Sequence, residues 1–163
     1  MNAWRLGMVA VLLGIALLSL LVARRAGGRG WLLAALRRAG LYAAIGPGLA
    51  GLMVVAYLVV EKSADLLDPM ALVVAVLIVI FAYPFGGLPA FWGGACMGLL
   101  RPVIPSALRV PIAALLCFIV TAAMIGIISK ADEWKVMLNV GLLGAGAGLG
   151  SELLLMRFWK NQR

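Results

Sequence analysis

A chain of 163 residues that is 65% hydrophobic and 12% charged, with mean hydropathy +1.12, lacks the polar residues to cover a water-facing surface. That excludes an ordinary soluble domain and predicts an all-α integral membrane protein, a single transmembrane domain over residues 1–163. Histidine is absent, and Cys96 and Cys117 lie in apolar runs without a CxxC pair, so the commonest general base and the usual metal-ligand patterns are missing.

Residues 6–23, LGMVAVLLGIALLSLLVA, carry no charge and suit a first span, since a helix needs about 20 apolar residues to cross a bilayer. Arg5 ahead of the run would fit a signal peptide. However, ARRAGGRG follows at once with no small-residue cleavage site before the arginines, so the span is expected to be retained. Arg24, Arg25, Arg29, Arg37 and Arg38 then mark a loop, in which WLLAALRR (31–38) reads as a short amphipathic turn on the bilayer surface. The second span is about 41–60, with Pro47 between Gly46 and Gly48 as its kink.

Asp68 before Pro69 is a helix start signal, an N-cap acceptor followed by proline at the first helical position. Glu61, Asp65 and Asp68 could offer oxygen ligands to a cation, but a solvated loop is the favoured reading of them. The apolar stretch from Met70 to Leu100 would be ~46 Å long as one straight helix, against a hydrocarbon core of ~30 Å. A break is therefore expected at YPFGGLP (83–89), dividing a span at about 70–85 from a half-helix at 86–100. Irregular backbone at membrane depth must be buried in protein or line water, and transporters place substrate at such breaks. Tyr83, Pro84, Gly86, Gly87 and Trp92 thus become candidate binding residues, with Tyr42 and Tyr57 as further walls of a pocket facing the Pro47 kink.

RPVIPSALRVP (101–111) is a basic, proline-rich connection, the fourth span is about 111–129, and the fifth is about 136–156 after the loop KADEWK (130–135). Five spans with the N-terminus outside put Arg24, Arg25, Arg29, Arg37, Arg38, Arg101, Arg109, Arg157, Lys160 and Arg163 on one side. Only Arg5, Lys62, Lys130 and Lys135 fall on the other. The richer side is expected to be cytoplasmic, with the C-terminus, which makes the net charge of +8 a topology signal. Trp4, Trp31, Trp134 and Trp159 fall near the expected interfaces. Anionic lipid headgroups are then natural partners on the cytoplasmic side and nucleic acid is not. Lys-poor, Arg/Ala/Gly-rich usage points to a bacterial inner membrane.

The fifth span holds the one carboxylate at membrane depth. In GAGAGLGSELLLMRF, Gly141, Ala145, Gly148 and Glu152 share a helix face, flanked by Gly144 and Ser151, so the small residues form a packing seam along which Glu152 points inward. An intramembrane acid needs a partner. Arg101 and Arg109, in the loop on the same side, are the expected ones, and a structural ion pair is favoured over ion or substrate handling.

Nucleotide, calcium and zinc-protease motifs are absent, and no nucleophile–base pair is available, so neither catalysis nor a cofactor or metal is expected. The favoured function is a non-enzymatic membrane-embedded binding partner. It would be an accessory subunit or an immunity-type protein that neutralises a membrane toxin, bound to another membrane protein or to itself. The alternative is a small permease or channel, or the substrate-binding subunit of a transporter, with the broken helix and Glu152 at its site.

Overall fold

In the computed structural model, residues 3–26, 30–62, 68–128 and 134–160 are described. Arg29, Lys130 and Arg163, which entered the charge argument, and Asp65 lie outside them. The described residues form five long helices: α1 (Ala3–Ala26), α2 (Trp31–Lys62), α3 (Pro69–Leu100), α4 (Arg109–Ile128) and α5 (Trp134–Lys160). A short 3-10 turn, Ser106–Leu108, leads into α4. All five helices are long and apolar enough to cross a membrane, which fits a multi-pass membrane protein.

Two boundaries differ from expectation. The 31–38 segment is not a separate surface turn. Gly30, at φ 105, turns the chain, its carbonyl accepts from the Ala34 N–H, and Trp31 begins a 32-residue helix that runs through Pro47 to Lys62. Residues 70–100 are likewise not broken. Asp68 caps α3 by accepting from the Met70 N–H at 3.2 Å, and the helix continues through Pro84 and Pro89 to Leu100 without a separate half-helix.

The reason is the solvent. A proline inside a helix costs about 3 kcal/mol. Unwinding several residues in hydrocarbon instead strands several N–H and C=O groups, at roughly 2–7 kcal/mol each. Breaking the helix is the worse choice. A spanning helix longer than the ~30 Å core is accommodated in general by tilt or by ends beyond the apolar layer.

The helices pair as two hairpins, α2 with α3 and α4 with α5, joined where α2 meets α5 and α3 meets α4, while α1 lies against α3 and α4. The buried residues of α3 all fall between Pro89 and Gly98. There the glycines bring backbones together: a Cβ on Gly94 would stand 2.6 Å from the Tyr42 Cβ, and one on Gly98 2.6 Å from the Ala35 Cα. The earlier part of α3 lies against α2, with Gly51 close over Val79. The buried part of α3 thus lies at the Arg38 end, and a cleft remains between the hairpins.

Candidate functional site

The Arg38 end is organised around Glu152, which is 0% exposed. The guanidinium that meets it belongs to Arg38 of α2, not to Arg101 or Arg109. Arg38 Nη1 donates to Glu152 Oε1 at 3.0 Å and to Oε2 at 2.8 Å, and the Tyr42 hydroxyl donates to Oε2 at 2.7 Å. Arg38 is itself only 4% exposed. Arg109 turns back on its own loop, its Nε donating to the Ile104 carbonyl, and the Arg101 N–H closes the end of α3 on the Met97 carbonyl.

Local sequence explains the arrangement. Once 31–38 belongs to α2, Arg38 and Tyr42 stand four residues apart and face the same way. Both point at α5, and Tyr42 is enclosed with Met97, Ala113, Cys117 and Leu155 in one apolar cluster. In such surroundings the charges attract strongly, and their removal from water costs several kcal/mol per ion, so the pair persists only because each answers the other. Its geometric consequence is definite: it fixes the register of α2 against α5.

The glycine seam of α5 faces α4. A Cβ on Gly141 would meet Phe118, one on Gly144 would meet Thr121 and the Cys117 carbonyl, and one on Gly148 would meet Cys117 and the Ala113 carbonyl. Ala145 is half-buried. The seam and Glu152 thus serve different neighbours, α4 and α2.

Above the ion pair lies the cleft, about 340 Å³ in volume. Its walls come from α2 (Tyr42 to Val54), α3 (Ile78 to Ala90), α4 (Cys117 to Ile125) and α5 (Val140 to Ser151), and they are almost wholly apolar. Phe81 and Phe85 line its α3 edge yet are exposed, Phe85 by 72%, so the cleft opens sideways past them. Its inner end is closed by Tyr42, Ala90, Cys117 and Ser151. Ser151 is 0% exposed and its Oγ has no hydrogen-bond partner among the described residues.

Of the residues expected around the α3 prolines, Gly86 lines this cleft opposite Pro47, which also lines it. Pro84 is exposed and Gly87 faces open space. Trp92 is turned to the other side, packed on the Leu12, Val120 and Ala123 cluster. Tyr57 is exposed. The Tyr83 hydroxyl donates to the Ala44 carbonyl at 2.9 Å, one turn ahead of Pro47. Pro47 has no N–H to offer that turn, and the tyrosine supplies a donor beside the gap. Tyr83→Phe is expected to lower unfolding free energy by about 0.5–1.5 kcal/mol, the range for one interhelical hydrogen bond in a membrane protein. Denaturation in mixed micelles reads the difference directly.

No group of three or more histidine, cysteine or acidic side chains that could hold a metal occurs among the described residues. No protein family model, curated protein or solved structure matches the chain.

Proposed function

We propose that the chain is a non-enzymatic binding protein of a bacterial inner membrane, with the N-terminus outside and the arginine-rich face and C-terminus in the cytoplasm. It acts as an accessory subunit, holding a membrane-borne molecule in the lateral cleft and presenting it to another membrane protein. The cleft is the observation that carries this reading: it is apolar, opens sideways through Phe81 and Phe85, and is closed at its inner end. A ligand site of this kind is concave, largely apolar and furnished with few polar groups.

The competing permease reading needs Glu152 as an ion site. A carboxylate already answered by Arg38 and Tyr42 and removed from solvent is poorly suited to bind and release a cation. Its place is structural, and the cleft is left as the working element.

The test is capture of the tagged protein from bacterial membranes in mild detergent, followed by peptide mass spectrometry, for wild type and for Ala50→Phe. Ala50 is a half-buried wall residue, and a phenyl ring there fills the cleft. A stoichiometric membrane-protein partner is expected with wild type and is expected to be depleted with Ala50→Phe, whose helical circular dichroism should match wild type. Equal capture by both variants, or no stoichiometric partner with either, overturns the accessory role.

A further inference from the structure

We propose that the cleft binds a single-chain amphiphile, one long hydrocarbon chain ending in a small oxygen-bearing group, with that group hydrogen-bonded to Ser151. The proposal rests on the reading of the cleft as the protein's ligand seat. Four observations define the occupant.

The first is width. Along α5 the lining runs from Val140 to Ser151, about 16 Å at helical rise. Spread over that length, 340 Å³ gives a mean section of about 20 Å². The cleft therefore has room along its length for one extended hydrocarbon chain.

The second is the wall. Val54, Ile78, Ile125, Val140 and Leu143 surround the outer part, so a chain there exchanges lipid neighbours for close aliphatic contact. The third is access, since a ligand dissolved in the bilayer can slide in past Phe81 and Phe85 without crossing water.

The fourth is Ser151, which is fully buried, lines the closed end, and carries a hydroxyl without a partner. Its Oγ lies 3.8 Å from where a Cβ on Gly46 would stand, so it faces the part of the wall where α2 has no side chain. A buried hydroxyl left unsatisfied costs about 1–3 kcal/mol, which a ligand oxygen recovers. The closed end also limits the head. Ser151 is 0% exposed and Ala90 and Ser151 both crowd the Gly46 position, which leaves no room for a bulky phosphate headgroup. An alcohol, acid or carbonyl terminus is the size that fits.

The experiment uses the full chain in phosphatidylcholine nanodiscs with a 16-carbon fatty acid carrying a mid-chain diazirine. After irradiation, adducts are mapped by peptide mass spectrometry. Saturable labelling of Phe81, Leu143 and Ala147 is expected, above the level at the outward-facing Leu13 and Leu154.

Hexadecanol and palmitic acid should compete about tenfold better than hexadecane, the equivalent of one good hydrogen bond. In Ser151→Ala that preference should collapse while the unliganded thermal midpoint stays at or above wild type, because the hydroxyl removed has no partner to lose. A phospholipid bearing the same diazirine chain should label the outer residues only.

Even labelling of cleft and outer residues, equal competition by the alkane, retention of the preference in Ser151→Ala, or cleft labelling by the phospholipid probe each overturns the proposal. Those outcomes leave the captured membrane partner untouched. Loss of that partner with the labelling pattern intact would overturn the accessory role alone.

Discussion

Glu152→Ala is expected to be among the most damaging single substitutions in the protein. It leaves the Arg38 guanidinium buried at 4% exposure with no carboxylate, and removes the acceptor of the Tyr42 hydroxyl. Stranding one member of a buried pair costs about 3–5 kcal/mol, a large share of a total stability of roughly 5–15 kcal/mol. Glu152→Gln should cost less, since an amide oxygen still accepts from Tyr42 or Arg38 but no longer balances the cation.

Replacing both ions separates the two halves of the effect. Arg38→Met with Glu152→Leu removes the desolvated charges together, and should recover most of what Glu152→Ala loses, because a buried pair exchanged for apolar residues is close to neutral. Unfolding in mixed micelles gives the order wild type, then the double variant, then Glu152→Gln, then Glu152→Ala. A Glu152→Ala protein as stable as wild type would remove the clamp from the argument. A folded Glu152→Gln protein that loses a measurable ion flux in proteoliposomes would reverse the role assigned to this residue.

Much of this fold was legible in the chain. Five spans follow from where apolar runs are long enough, and the cap at Asp68 from an acceptor preceding proline. The expected break at YPFGGLP rests on helix-breaking rules that hold in water, where a freed carbonyl finds a solvent molecule. In hydrocarbon it finds none, so α3 stays helical through Pro84 and Pro89.

The expectation for Arg38 fails for a related reason. A run of arginines ordinarily marks the end of the membrane layer, which places Arg38 in a loop and leaves Glu152 to be answered from another one. The i, i+4 spacing of Arg38 and Tyr42 was the available signal, and it becomes visible only when 31–38 is read as helix. The cleft had no sequence signature, because its walls are the same aliphatic residues that face lipid elsewhere. Only the packing of two hairpins distinguishes them.

Gly94→Leu tests whether that packing creates the site. At Gly94 even a Cβ would come within 2.6 Å of the Tyr42 Cβ, 2.8 Å of its Cγ and 3.0 Å of the Arg38 carbonyl oxygen. Backbone and the first carbons of a ring cannot move aside, so α3 and α2 must separate. Overpacking typically costs about 1–3 kcal/mol where side chains can adjust, and more is expected where they cannot. The displaced residues are the donors to Glu152, so the loss should include part of the clamp.

Gly87→Leu in the same helix is the control, because nothing lies within 4 Å of its added Cβ. Gly94→Leu should leave little monodisperse protein after detergent extraction, while Gly87→Leu should stay near wild type. Equal yields and equal unfolding midpoints would mean that the α2–α3 contact is not under this constraint. Coupling gives the sharper reading. If Gly94 works by seating Arg38 and Tyr42, then Gly94→Ala and Glu152→Gln together must cost less than the sum of each alone, since contacting sites that share one network do not add. Simple additivity would separate the glycine contact from the ion pair and leave each holding α2 by independent means.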